Sequence, residues 1–294
     1  MIDSASSQRS ILQQIRVVLE AVKFEHSIFA LPFALLGMIY AADGFPSART
    51  IGWIVVAMVG ARTSAMAFNR LIDRDVDAKN PRTAKRALPT GQLTAPQMSL
   101  LCIAGAGLLV LAAWQLNPLA LALSPIALIV VLSYSYAKRF TWLSHFWLGL
   151  SLGIAPAAAW VAVTGDIDWA VLWLTGAVAF WVAGFDILYS LQDEAFDREE
   201  RLHSFPQRFG TSNALLASRV SHLACIGLLI GAGIALGAGA WYFVGALFCA
   251  ALLAYEQSLV KANDLSRLDM AFFTLNGIMG IVFFGFAAID KAVA

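Results

Sequence analysis

Nine stretches of apolar residues, each about 20 long and parted by polar breaks, constrain this chain more than any other feature. They fall at roughly 24–42, 51–72, 97–116, 118–137, 143–164, 168–190, 214–236, 239–260 and 270–290. A bilayer core about 30 Å thick takes about 20 mostly apolar residues per helical crossing. No water reaches that core, so each run must satisfy its own backbone hydrogen bonds and is expected as an α-helix. Composition agrees, since 60% hydrophobic and 13% charged residues over 294 positions describe a chain dissolved in lipid. The expectation is an all-α, polytopic membrane protein with nine transmembrane helices. It forms a single domain over 1–294, in two pseudo-halves of about 1–140 and 141–294. A net charge of +1 gives no reason to expect a nucleic-acid partner. Cys102, Cys225 and Cys249 lie inside apolar runs with no metal or disulfide spacing, and read as packing residues.

Orientation follows from the basic residues, which are retained in cytoplasmic loops. Seventeen of the 20 Lys and Arg residues fall in the N-terminal arm, in the breaks after the second, fourth, sixth and eighth runs, or on the helix ends beside them. Only Arg49 and Lys291 fall opposite, and Arg62 lies within a run. The N-terminus is therefore expected in the cytoplasm and the C-terminus outside, with the protein in the cell inner membrane. The first 20 residues lack a short apolar core followed by small residues, so no cleaved signal peptide is expected. Pro32, Pro125 and Pro156 are expected to kink their helices, and Gly105–Gly107 and Gly231–Gly233 to allow close helix contact.

Two long breaks, about 73–96 and 191–213, share the cytoplasmic side and carry the chemistry. In the first, Asn69, Asp73 and Asp77 recur every four residues, which places them on one helical face. In the second, Asp193 and Asp197 repeat that spacing. Like charges four apart repel on a bare helix, so each pair calls for a cation. Hard oxygen donors beside basic loops, without His or Cys, favour magnesium held jointly by carboxylates and a phosphate substrate. A single such pair reads as ordinary solvated charge; two pairs, both at the cytoplasmic ends of apolar helices, point to a metal. Arg62 lies seven residues before Asn69, deeper in the same helix. A guanidinium there is costly in lipid. Either it pairs with a buried acid, with Asp186 the candidate, or its planar fork holds a carboxylate of a second substrate.

At these residues the chain resembles the UbiA family of intramembrane prenyltransferases, whose signature is NxxxDxxxD after the second helix and DxxxD after the sixth. The segments Arg86–Gly91, similar to the family's RPLPSG, and Tyr134–Thr141 extend the likeness over nearly the whole chain. It looks most like the 4-hydroxybenzoate polyprenyltransferase branch, and Ala65–Asp73 and Arg201–Pro206 are also similar to relatives assigned to the futalosine route to menaquinone. The resemblance implies that Asn69, Asp73, Asp77, Asp193 and Asp197 bind two magnesium ions bridging a polyprenyl diphosphate. It implies that Lys23, Arg82, Arg86 and Lys138 hold the diphosphate and that Tyr134 stands near the reactive prenyl carbon. Arg62, His26 and Tyr189 are expected to contact an aromatic acid acceptor; an interfacial anchor is the alternative for His26. Glu25-His26-Ser27 stands where relatives commonly have Asp-Lys/Arg-Pro, beside the acceptor pocket. The same machinery with another acceptor, such as homogentisate, haem or a lipid hydroxyl, is a second reading. A membrane transporter is a third, disfavoured because the acids gather at one membrane face.

Overall fold

The computed structural model describes residues 11–23 and 27–293. Helices supply the regular structure; the other pairing among the described residues is an isolated bridge between Lys261 and Asp264. In chain order the helices are α1 (Ile11–Ala21), α2 (Ser27–Ala41), α3 (Ala48–Ile72), α4 (Arg74–Lys79), α5 (Ala95–Leu116), α6 (Pro118–Ala137) and α7 (Ser144–Thr164). There follow α8 (Trp169–Ser190), α9 (Glu194–Glu199), α10 (Phe205–Phe209), α11 (Thr211–Ala235) and α12 (Ala240–Leu259). The last segment opens with a π-helical turn, Met270–Leu275, and continues as α13 (Asn276–Val293).

Eight of these segments are long and apolar enough to cross a membrane: α3, α5, α6, α7, α8, α11, α12 and the π turn with α13. Each coincides with an expected crossing. The first expected crossing differs. Its helix α2 has 15 residues and rises only about 22 Å at 1.5 Å per residue, less than the hydrocarbon thickness. Residues 24–26, His26 among them, lie outside the described residues.

Local signals set the ends. Thr94 and Gln97 form a reciprocal capping box at the start of α5. Asn117 ends α5 and starts α6, where its Oδ1 accepts from Ala120 N at 2.9 Å. Its Nδ2 donates to Val161 O at 2.7 Å, which ties a third helix, α7, to the same corner. Pro32, Pro125 and Pro156 sit inside α2, α6 and α7 as expected.

The centre of the bundle is α8. Buried residues make up 61% of its membrane-length window, against 17% to 39% in the other crossings. Trp181 packs against Phe33 of α2 with ring centroids 5.0 Å apart, and Phe33 against Phe283 of α13 at 6.0 Å. The rim is apolar too: Leu100, Ile103, Ile129, Leu223, Ile234 and Leu247 are each more than half exposed, a surface suited to lipid. Small residues act in two ways. A Cβ on Gly60 would stand 2.7 Å from Gly105 O, so α3 and α5 meet backbone to backbone. Gly231 and Gly233 instead make room for the rings of Trp173 and Tyr242, and Gly107 has open space around it. At the end of the bundle remote from the long polar loops, buried Asp290 accepts from Tyr40 Oη (2.9 Å), Gly239 N (2.8 Å) and Tyr242 N (3.3 Å). One carboxylate thereby joins α2, α12 and α13.

Candidate active site

Two polar arms are built by the same backbone device. As the run boundaries predict, α3 stops at Ile72; α4 starts at Arg74, leaving Asp73 between them at φ −90°, ψ 5°. Asp193 likewise closes the tight turn Leu191–Asp193 after α8 and precedes α9 at φ −102°, ψ 2°. Both first aspartates occupy the sparsely populated bridge region of backbone space. Both second aspartates, Asp77 and Asp197, then lie inside a short helix and are buried. The bond from Asp77 N to Asp73 O, 2.7 Å, preserves the four-residue geometry across the break.

Basic side chains bind the arms in a crossed pattern. Arg82 and Arg86 follow α4 in one loop. Arg86 Nη1 returns to Asp77, 2.7 Å from both carboxylate oxygens. Arg82 instead crosses to the second arm and clasps Asp193 with both prongs, Nε to Oδ1 at 3.0 Å and Nη2 to Oδ2 at 2.5 Å. Lys138 and Arg139, adjacent at the end of α6, divide in the same way. Arg139 Nη1 donates to Asp73 Oδ1 at 2.9 Å, and its Nη2 to the α3 carbonyl of Ile72 at 2.8 Å. Lys138 Nζ faces Asp197 Oδ2 at 3.8 Å. Asn69 Nδ2 donates to Asp73 Oδ2 at 2.8 Å, and Asn80 Nδ2 to Asp193 Oδ1 at 3.2 Å.

Burial and charge oppose each other here. Burial pushes the Asp73 carboxyl above the usual aspartate range, and the Arg139 hydrogen bond and charge only partly offset it. For Lys138, burial works to lower the ammonium's pKa, but Asp197, Asp186, Asp193 and Asp73 together raise it, so the amine stays charged. For Arg82, burial is likewise outweighed by the hydrogen bond and charge of Asp193.

Both arms open on one cavity of about 750 Å³. Its lining includes Asn69, Asp73, Asp77, Asp193, Asp197, Arg82, Arg86 and Lys138, and also Lys23, Arg62, Tyr134 and Tyr189. Every site residue named from the sequence therefore reaches the cavity except His26, which lies outside the described residues. Tyr134 directs its hydroxyl to Met66 Sδ at 3.8 Å. Arg82 lies over the Tyr189 ring at 5.4 Å. One expected pairing is corrected: Asp186 is not the partner of Arg62. His145 Nε2 accepts from Phe205 N at 3.1 Å, so the proton sits on Nδ1 and is given to Asp186 Oδ2 at 2.6 Å. Among the described residues Arg62 donates to the Lys23 carbonyl, at 3.4 Å, and its buried Nε has no hydrogen-bond partner.

This architecture has known counterparts. A model of the UbiA prenyltransferase family matches residues 30–278. The chain belongs to the UbiA prenyltransferase family. It is 32% identical over 245 residues to the 4-hydroxybenzoate octaprenyltransferase of Aromatoleum aromaticum, covering 83% of this chain and 82% of that one. To the enzyme of the same name from Vibrio campbellii it is 30% identical over 248 residues, 83% and 86% of the two chains. The apo structure of a UbiA homologue from Aeropyrum pernix K1 superposes with a TM-score of 0.83 at 35% identity, over 90% of this chain and 98% of that one. A UbiA homologue from Archaeoglobus fulgidus, solved with DMAPP and Mg2+, shares the fold at a TM-score of 0.74 and 20% identity, over 94% and 99%.

The donor set of this UbiA-family prenyltransferase fits a hard cation shared with a substrate. Among the described residues Asp197 Oδ2 is buried without a hydrogen-bond partner, an unfilled acceptor beside the cavity. Among the described residues, no three His, Cys, Asp or Glu side chains cluster tightly enough to hold a metal by themselves. Arms whose acids are each turned to a basic side chain need phosphate oxygens to complete such a site, the usual habit of magnesium. Sequence reasoning missed Arg139, Arg70, Asn80 and His145 as parts of this site. Arg70 is buried, donates from Nε to Ala21 O at 3.2 Å and stands 4.0 Å from Asp77. Its position directly after Asn69 was a usable signal; the pairing of His145 with an acid 41 residues away was not.

Proposed function

We propose that this prenyltransferase moves a polyprenyl chain from its diphosphate to an aromatic acid, 4-hydroxybenzoate or a dihydroxynaphthoate, in quinone biosynthesis. The observation that carries the reading is the convergence of both acid arms and their crossed basic partners on one cavity with an apolar interior. The names of the relatives support the acceptor class. Asn69, Asp73, Asp77, Asp193 and Asp197 would hold two magnesium ions. Bound there, magnesium supplies charge neutralisation at the leaving diphosphate.

The chain's own residues do the rest. Arg82, Arg86 and Lys138 exchange their aspartate partners for diphosphate oxygens, and Lys23 closes the same end. Their fixed charges stabilise the leaving group as its bond to the prenyl carbon breaks. The allylic cation left behind faces the Tyr134 ring, and the apolar wall keeps water from it. Arg62 offers its Nε, unpartnered among the described residues, to the acceptor carboxylate, with Tyr189 on the wall of the same cavity. Attack by the acceptor ring forms the new carbon–carbon bond, and the ring proton is then lost. The gathering of basic residues in the long loops supports a cytoplasmic position for this face, with α2 as a ninth crossing and the C-terminus outside.

The test is direct: membranes containing the protein receive a polyprenyl diphosphate and a panel of aromatic acids, with and without magnesium. Prenylated product that depends on magnesium is expected. A folded protein that prenylates none of the acids overturns the reading.

A further inference from the structure

The π-helical turn before α13 enters none of the roles above, yet it faces the cavity through Phe272 and Phe273. Single π turns inside α-helices are rare and recur at functional sites. This one is held by Asn276, which is fully buried. The backbone N–H of Asn276 turns to Phe273 O. Its side-chain Nδ2 takes the two carbonyls that this N–H serves in π or α winding, Ala271 O at 2.9 Å and Phe272 O at 3.2 Å. Its Oδ1 accepts from the indole of Trp181 at 2.6 Å. The assignment of the amide is unambiguous, because an indole N–H only donates and a carbonyl only accepts.

The clamp passes its register to the cavity wall through α8. Trp181, Phe185 and Tyr189 follow one another at intervals of four on one helical face. Trp181 holds Asn276, and the next two rings receive Phe272: Phe185 edge-on at 5.2 Å and Tyr189 stacked at 4.0 Å, 25° between planes. Phe29 of α2 closes on Phe272 from another side at 5.9 Å. The Arg82 guanidinium that clasps Asp193 also lies over the Tyr189 ring, 5.4 Å from its centroid. Phe272 thus stands between the apolar interior and the diphosphate end, and an amide that touches neither substrate decides where it stands.

We propose that Asn276 is a positioning residue: it fixes the π turn so that Phe272, against Tyr189, forms the wall that limits the size of the acceptor ring. The proposal rests on the aromatic-acid reading above. A shorter or displaced side chain at this wall admits a larger ring.

The test sets one-ring 4-hydroxybenzoate against two-ring dihydroxynaphthoate, with wild type, Phe272→Leu, Asn276→Asp and Trp181→Phe in membranes. Asn276→Asp keeps the shape but removes both side-chain donors, and Trp181→Phe removes only the indole N–H. In Phe272→Leu and Asn276→Asp the ratio of kcat/KM for the two-ring over the one-ring acid rises about tenfold, the scale of one apolar contact in a pocket. Trp181→Phe moves it less, in the same direction. KM for the polyprenyl diphosphate stays within about twofold. A merely structural role lowers melting temperature and leaves the acceptor ratio at its wild-type value, which overturns the proposal; where the clamp variants fail to fold, the ratio in Phe272→Leu decides. Should wild type prenylate neither acid, the aromatic-acid reading fails and the proposal falls with it. Wild-type product with an unmoved ratio removes the proposal alone.

Discussion

The two acid arms share a backbone but not an electrostatic setting. Each has an aspartate at a helix break and a second one in the short helix beyond. In the first arm Asp73 is the more open, with a side chain 25% exposed, and it is held by Arg139 and Asn69. In the second arm Asp193 is closed off under a two-pronged arginine, while Asp197, 3% exposed, meets only an ammonium at 3.8 Å. The difference arises because neighbouring basic residues divide: Arg82 and Arg86, then Lys138 and Arg139, each send one side chain to each arm. Such a lattice sets the charge of the basic groups between two acidic clusters that lie side by side.

The largest expected effect breaks both arms alike. Asp73→Ala and Asp193→Ala should each lower turnover by at least about a thousandfold, the scale of lost metal and charge stabilisation, with normal expression. Chelation of divalent cations should do the same to wild type, and magnesium should restore it. Turnover that survives either substitution would show that the arm concerned holds no metal.

Next in size is a contrast between the two loop arginines. Arg82 makes the two-pronged contact, and lysine cannot reproduce a planar fork. Arg82→Lys should therefore raise KM for the diphosphate roughly tenfold, while Arg86→Lys, which replaces a single-nitrogen contact, should cost only about two- to threefold. Equal effects would mean that the crossed pattern is a resting arrangement with no bearing on substrate.

At the opposite end of the bundle, Asp290→Ala strands Tyr40 Oη and Gly239 N. The expected cost is about 1–3 kcal/mol, seen as a lower melting temperature with kcat per folded molecule unchanged. A fall in kcat would show that the two ends are coupled. The smallest effect is expected at Lys79–Glu200, a bridge of 2.7 Å that joins the arms at their exposed rim. Lys79→Ala should change activity by less than about twofold, and less still at high salt, because exposed pairs contribute about 0–1 kcal/mol.

Much of this was legible before the structure. Eight crossings could be read from apolar length alone, because hydrocarbon admits only internally bonded backbone. The arms could be read because carboxylates repeated every four residues repel on a bare helix and call for countercharge, which the structure supplies as Arg82, Arg86, Lys138 and Arg139. Reading failed where a partner comes from a distant element: Asp186 went to His145 and not to Arg62, and Arg139 was passed over beside Lys138.

By itself the sequence determined the apolar, membrane-crossing character, the helical class and the acidic and basic residue types that gather at one end of the bundle, since these follow from local composition and spacing. Only the tertiary structure decided which base faces which acid, which buried polar atoms remain unsatisfied and how the Asn276 amide takes the carbonyls of the π turn. Those are matters of distance between helices far apart in the chain, and a pattern of residue types carries no distance.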